Sequence, residues 1–479
     1  MLFNSLEFAI FFPVVTALYF VLPHRWRVHL LLAASCCFYM AFIPVYILIL
    51  FVTIGIDYCA GMWIEDADGR RRKLLLWLSI LSTCTVLFIF KYYNFGIDSF
   101  TGLANALGWH ISHRAASIIL PIGLSFHTFQ SLSYVIEVYR GRQKAERNLI
   151  VYATYVMFFP QLVAGPIERP QNLLHQFREP HGFEYERVTE GLKRMAWGFF
   201  KKLVVADRLA LYVNDVYADP RSHSGLQLTI ATLFFAWQIY CDFSGYSDIA
   251  IGAARILGFG LMENFNAPYY SRSTGEFWHR WHISLSTWFK DYVYIPMGGS
   301  RVPKFRHVIN LLVTFAVSGL WHGANWTYVA WGALNGVYLV IGWLTASWRN
   351  QFFNAVGIGE NTRVRRIIQW STTLVLTCVA WILFRARNMA DAWYVFTHLA
   401  SGWNLHEIAT AQFFLRQMPV AIGAILLLEI GQIATRRIPV MSLTGKLPTS
   451  ARWAAYAAFV MTVLMLGIYR KTQFIYFQF

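Results

Sequence analysis

Ser318-Gly319-Leu320-Trp321-His322-Gly323-Ala324-Asn325-Trp326 stands inside residues 308–348, a run without Asp, Glu, Lys or Arg in which His322 is the one imidazole. As helix, such a run crosses a ~30 Å hydrocarbon core once or twice. An ionisable group placed there is costly and is retained when it has a partner and a task. The functional reading of His322 is favoured over that of a histidine satisfied in a helix contact.

The rest of the chain is of the same kind. Of its 479 residues 57% are hydrophobic and 14% charged, with a mean hydropathy of +0.42, where soluble domains carry roughly a quarter charged residues. Further uncharged segments run over 74–90, 115–136, 150–167, 225–241, 367–384 and 453–469, each near or above the ~17 residues of a span. The expectation is an all-α polytopic membrane protein with about eleven crossings, some bent or re-entrant. The more hydrophilic stretches 168–224 and 266–307 are rich in aromatics and read as elements packed against the membrane. We expect one domain over 1–479, with its motif core at about 120–345.

Residues 8–22 resemble the apolar part of a signal peptide, but Glu7 and the lack of Lys or Arg before it favour a retained first helix. Basic residues then recur after even numbers of crossings: Arg25 and Arg27; Arg70, Arg71, Arg72 and Lys73; Arg140, Arg142, Lys144 and Arg147. The positive-inside bias puts these loops in the cytoplasm and the N-terminus outside. The excess of 41 basic over 25 acidic residues, +16, is accounted for by such loops beside anionic membrane lipids, so no nucleic-acid partner is expected. Six cysteines lie in or beside apolar segments without metal-ligand spacing and read as small core residues. No internal repeat appears, which argues against the inverted-repeat plan of many transporters.

Several chemistries are excluded by inspection: there is no phosphate loop ending in Gly-Lys-Ser/Thr, no Gly-x-Ser-x-Gly elbow, no His-Glu-x-x-His and no His-x4-Asp. Polar residues concentrate instead from Asp242 to Asp248 and from Glu263 to Tyr270. After these comes Glu276-Phe-Trp-His279-Arg280-Trp281-His282-Ile-Ser-Leu-Ser-Thr-Trp288-Phe-Lys290-Asp291. Phe277, Trp281, Leu285, Trp288 and Tyr292 recur at helical spacing, which predicts one interfacial helix with Arg280 and Lys290 off its apolar face. His279 and His282 are three apart and could face one metal, but no third ligand completes a zinc set, so no metal is expected. His282 reads either as a hydrogen-bonded anchor beside Trp278 and Trp281 or as a chemical group, and His279 as a solvated residue.

The blocks Asp242-Phe-Ser-Gly-Tyr-Ser-Asp248, Phe277-Trp-His-Arg-Trp-His-Ile-Ser-Leu-Ser-Thr-Trp-Phe289, Tyr294-Ile-Pro-Met-Gly-Gly299 and Gly319-Leu-Trp-His-Gly-Ala-Asn325 resemble, in order and spacing, the membrane-bound O-acyltransferase family. Lys91-Tyr-Tyr-Asn-Phe-Gly96, Leu120-Pro-Ile-Gly-Leu-Ser-Phe126 and Ala164-Gly-Pro166 draw the resemblance to its bacterial alginate O-acetyltransferase branch, over about residues 1–390. His279, where that branch would carry Arg, leaves acetyl transfer intact and the polymer open.

The resemblance implies transmembrane, re-entrant and interfacial helices around a central funnel, with His322 as the catalytic histidine and His282 as a second polar position on the cytoplasmic side. Burial disfavours imidazolium, so a neutral His322 is suited to be a general base, taking a hydroxyl proton while a thioester loses its thiolate. Trp321 and Trp281 are expected near the acyl path and Asn325 at the ring or the acyl carbonyl. Asp242, Arg280 and Lys290 complete the expected substrate-binding set. The resemblance further implies acetyl-CoA as acyl donor, no tightly bound cofactor, and a relay across the bacterial inner membrane to a periplasmic serine-containing acetyltransferase that modifies an exported polysaccharide, alginate or a related exopolymer. D-alanyl transfer to teichoic acid is the alternative within the class. Outside it, a proton-coupled transporter would use Asp57, Glu137, Asp242, Asp248 and Glu429, and a non-catalytic scaffold would only recruit the partner.

Overall fold

The computed structural model describes residues 1–111, 116, 121, 123–404, 413, 416–437, 448–469 and 474–475. Leu120 and Ile122 of the block ending at Phe126, with the start of the 115–136 segment, lie outside the described residues. The described residues contain helices and turns and no strand. Five helical stretches are long and apolar enough to cross a membrane: Pro44–Glu65, Gly69–Ala106, Trp326–Leu344, Arg363–Arg385 and Thr449–Leu466. Their outward apolar side chains agree with lipid contact; in Thr449–Leu466 only Val463 is buried. The chain is an integral membrane protein.

Two compact units form, one from residues 1–195 and 247–262, the other from 196–246 and 263–479. The first holds α1 (Leu6–Val21), α2 (His24–Met40), α3 (Ile47–Glu65), α4 (Gly69–Leu87), α5 (Tyr93–Ala106), α6 (Leu124–Tyr139), α7 (Leu149–Met157) and the short α8 (Pro170–Leu173). Its helices start where polar caps precede apolar runs. Ser5 Oγ accepts the Phe8 N–H at 3.3 Å, and Asn148 Oδ1 accepts those of Ile150 and Val151. Two helices, α9 (Tyr185–Phe199) and α11 (Gly225–Leu257), contribute residues to both units.

The second unit contains α10 (Asp207–Ala218), α12 (Thr274–Arg280), α13 (Ile283–Phe289), α14 (Lys304–His322), α15 (Trp326–Leu344), α16 (Ala346–Ala355), α17 (Arg363–Arg385), α18 (Met389–His398), α19 (Met418–Arg437) and α20 (Thr449–Leu466). A seven-residue π-helical stretch, Phe200–Ala206, joins α9 to α10. The uncharged run 308–348 folds as two antiparallel helices, α14 and α15, turning at Gly323, Ala324 and Asn325. They approach until backbones touch: a Cβ on Gly319 would lie 2.2 Å from the Tyr328 carbonyl oxygen, and one on Gly332 2.2 Å from that of Phe315. Small residues at such a crossing are what allow helices to pack closely in lipid.

The interfacial helix expected over 277–292 forms in two pieces. Four of the five residues of its apolar stripe are buried as foreseen, Phe277, Trp281, Leu285 and Trp288 being at most 5% exposed, while Tyr292 is half-buried. But α12 ends at Arg280 and α13 begins at Ile283, because His282 adopts left-handed backbone, φ 43°. Periodicity reports which face is apolar and carries no information on a one-residue break. All six cysteines are unbonded.

Candidate active site

His322 closes α14. Its ring is 4% exposed and enclosed by aromatics: Trp321 at 4.9 Å between ring centroids, Trp331 of α15 at 5.0 Å and edge-on, and Phe384 of α17 at 5.4 Å. Three helices therefore fix one imidazole. Three residues on, Asn325 caps α15: its Oδ1 accepts the Thr327 N–H at 3.0 Å, and its Nδ2 donates to the Arg387 carbonyl at 3.0 Å. Both ends of that amide are engaged in holding the α14–α15 turn and the residues after α17, beside His322.

The second histidine lies beyond Trp321. His282 is 1% exposed, with Trp321 at 6.3 Å and the Phe243 ring edge-on at 4.5 Å. A non-glycine residue in left-handed backbone needs surroundings that over-determine it. Asn264 supplies them. Its carbonyl oxygen accepts the Ile283 N–H at 2.9 Å, and its Oδ1 accepts the Ser284 N–H at 3.3 Å and the Ser284 hydroxyl at 2.9 Å, with His282 Nδ1 at 3.0 Å. The Ser284 N–H can only donate, so the amide oxygen is the atom facing this cluster. His282 Nδ1 therefore carries the proton, leaving the lone pair on Nε2. Burial lowers the His282 pKa to about 3, so the ring stays neutral at physiological pH.

The acid of the polar block is ion-paired. Asp242 meets Lys202 of the π-helical stretch at 2.5 Å, Lys202 also meets Asp207 at 2.9 Å, and Asp242 Oδ2 accepts the Ile475 N–H at 2.8 Å. Burial opposes the charge on Lys202, but Asp242 and Asp207 outweigh it and hold its pKa above the ordinary lysine range. Trp281, next to His282 in the chain, packs its ring in an aromatic core with Phe277, Phe265 and Trp381. Arg280 is part-exposed and paired with Glu276 at 2.7 Å, and Lys290 is exposed. His279 is exposed, its Nδ1 on the Gly275 carbonyl at 2.7 Å, so it and the buried His282 turn to different surroundings.

The structure thus brings His322, His282 and Trp321 together, with Asn325 supporting the turn. Asn264, Ser284, Lys202, Asp207, Trp331 and Phe384 enter the site without having been singled out. For Lys202 a signal existed, a basic pair inside the apolar stretch from Phe199 to Ala206. The rings on α15 and α17 carry no such mark, because aromatic residues are abundant throughout this chain.

The sequence is similar to that of known proteins. Residues 143–384 match the membrane-bound O-acyltransferase family, a stretch that takes in Asn264, His282, His322 and Phe384. The chain is 40% identical over 437 residues to the probable alginate O-acetylase AlgI of Pseudomonas aeruginosa, covering 89% of this chain and 81% of that protein. Its counterpart of the same name in Pseudomonas putida is 36% identical over 503 residues with full coverage of both. A peptidoglycan O-acetyltransferase of Helicobacter pylori is 31% identical over 429 residues, covering 82% of this chain and 78% of that protein.

Proposed function

The chain belongs to the membrane-bound O-acyltransferase family, and on that premise we propose that it is the membrane O-acetyltransferase of an exported polysaccharide, alginate or a related polymer. It takes an acetyl group from a cytoplasmic thioester, acetyl-CoA, and passes it across the inner membrane towards a periplasmic serine-containing acetyltransferase. The relatives act, by their names, on alginate and on peptidoglycan, so the class of reaction is better defined than the polymer. In this reading the whole chain works as one catalytic domain of about eleven crossings around a funnel, with the N-terminus periplasmic.

His322 is the general base. It takes the proton of the acceptor hydroxyl as that oxygen attacks the thioester carbonyl; the C–O bond forms, the C–S bond breaks, and the thiolate leaves and regains a proton. Its enclosure by Trp321, Trp331 and Phe384 supports this role, since those rings exclude the water that would hydrolyse the thioester. His282, with Nδ1 committed to Asn264, offers Nε2 as a hydrogen-bond acceptor on the donor side. Arg280 and Lys290 are the basic groups of this region for the donor's phosphates, and Asn325 positions His322 through the turn it caps.

The observation that carries the reading is the pair of buried histidines flanking Trp321. The test is transfer of radiolabel from acetyl-CoA by the protein in nanodiscs, supplied with the periplasmic partner and polysaccharide. The parent should label the polymer and His322→Ala should not; equal labelling would remove His322 from the chemistry. Mass spectrometry of the product separates acetyl from D-alanyl transfer, and solute flux without acylation would mark a transporter.

A further inference from the structure

Two of the apolar stretches long enough to cross a membrane, α15 and α17, are joined by residues 345–362, and this connection carries the short helix α16. Trp331 near the start of α15 stacks on Trp381 near the end of α17, so the two helices pack antiparallel. α16 therefore lies at the end where one span leaves the membrane and the next enters it. None of its ten residues is buried. Trp348 and Phe352, one turn apart, are 64% and 52% exposed and stack on each other, and Val356 continues the stripe just past the helix end.

Another side of α16 faces α17. Arg365, buried in the first turn of α17, donates through Nη2 to Asn350 Oδ1 and lies with its guanidinium 4.9 Å from the centre of the Phe353 ring. It clips the short helix in place. Residues 345–366 contain four arginines, Arg349, Arg363, Arg365 and Arg366, and a single acid, Glu360, which stands 3.9 Å from Arg365. The other three arginines are exposed, and among the described residues none is paired with an acid. Arg349 donates to the Gly342 carbonyl at 2.7 Å and Arg366 to the Asn361 carbonyl at 3.3 Å, contacts that orient the guanidiniums without neutralising them.

An uncovered aromatic stripe beside unneutralised arginines, at the end of two spans, suits the membrane interface: rings at the acyl boundary, guanidiniums at the phosphates. Guanidinium matches a phosphate with paired N–H bonds. α14 packs antiparallel to α15, so Lys304 and Arg306 stand at this same end. That excess of positive charge assigns the end to the cytoplasmic leaflet, where anionic lipids meet it. We propose that α16 and the first turn of α17 bind an anionic glycerophospholipid of this leaflet. Arg349, Arg363 and Arg366 take its phosphate, Trp348 and Phe352 pack on its acyl chains, and Arg365 is the positioning residue that holds α16 against α17. The site uses none of the residues assigned to acyl transfer and stands or falls apart from that reading.

The test places the full-length protein in phosphatidylcholine nanodiscs with a trace of photoactivatable phosphatidylglycerol or, separately, photoactivatable phosphatidylcholine, and maps the crosslinks by peptide mass spectrometry. The phosphatidylglycerol probe should label residues 346–366 in excess over the phosphatidylcholine probe. Unlabelled phosphatidylglycerol should suppress that excess, and soluble glycerol phosphate should not. Replacing Arg349, Arg363 and Arg366 together by Gln should lower the capture about tenfold or more, while Lys at the three positions keeps most of it. Equal labelling by the two probes, or capture unchanged in the Gln variant, would overturn the site. Suppression by glycerol phosphate or acetyl-CoA as effective as that by phosphatidylglycerol would assign the arginines to a soluble phosphate instead, and so refute the lipid. Should the Gln variant fail to fold, the contrast between the two probes on the parent still decides.

Discussion

At the scale of single residues, the site depends on which nitrogen of each imidazole carries a proton and what holds it there. His322→Ala should lower acetyl transfer by about 10²- to 10⁴-fold, the usual worth of a general base, while the purified variant keeps the parent's unfolding temperature within a few degrees. Asn264→Ala should cost about 1–3 kcal/mol, because it strands the His282 Nδ1–H and the Ser284 hydroxyl inside the protein, and it should lower turnover more than donor affinity. Thermal unfolding and steady-state kinetics read the two effects separately. His282 also makes a pH prediction. Its folded-state pKa of about 3 lies below the ordinary 6.5, so between these values the unfolded chain binds a proton that the folded chain does not. Its contribution to stability is full above pH 6.5 and is lost as pH falls towards 3. His282→Gln should therefore lose less unfolding temperature than the parent between pH 6.5 and pH 4. The importance of His322 was legible from its uncharged surroundings, but the tautomer of His282 was not, since it is set by an amide eighteen positions away.

At the scale of elements, the α14–α15 hairpin is the device that delivers His322. α14 runs from Lys304 to His322, about 28 Å at 1.5 Å per residue, so the histidine stands at the opposite end of the helix from Lys304 and Arg306. The helices lie close enough for glycines alone to fit at their crossing. Gly332→Ala places a Cβ against the Phe315 carbonyl and Gly319 Cα, neither of which can rotate away, and should cost about 1–3 kcal/mol with partial loss of acetyl transfer. An unfolding temperature unchanged from the parent would mean that the hairpin tolerates a wider crossing. The same scale explains the helix that split at His282: helical spacing foresaw the buried stripe from Phe277 to Trp288, while the break comes from the hydrogen bonds Asn264 makes to Ile283 and Ser284.

At the scale of the whole molecule, distant parts of the chain meet through buried charge. Lys202 joins the π-helical stretch to α10 and α11 through Asp207 and Asp242, and Asp242 also holds Ile475, 233 residues away. Lys202→Met leaves two buried carboxylates without their cation and should destabilise by about 3–5 kcal/mol; adding Asp207→Asn and Asp242→Asn should recover most of that loss in thermal unfolding. If the triple variant were no more stable than Lys202→Met, the methionine's packing and not the charge would be at fault. The sequence by itself determined the membrane environment, the helical class, the family and the histidine to examine, because each rests on local composition or on motifs read along the chain. Tertiary structure decided which atoms of those motifs face one another. Asn264 fixes the His282 proton, Trp331 and Phe384 wall in His322, and Lys202 neutralises Asp242, all across helices whose rotation and depth follow from packing. Hydrophobic patterning states that a face is buried; which partner it meets depends on close packing among many similar apolar surfaces, and no local pattern carries that information.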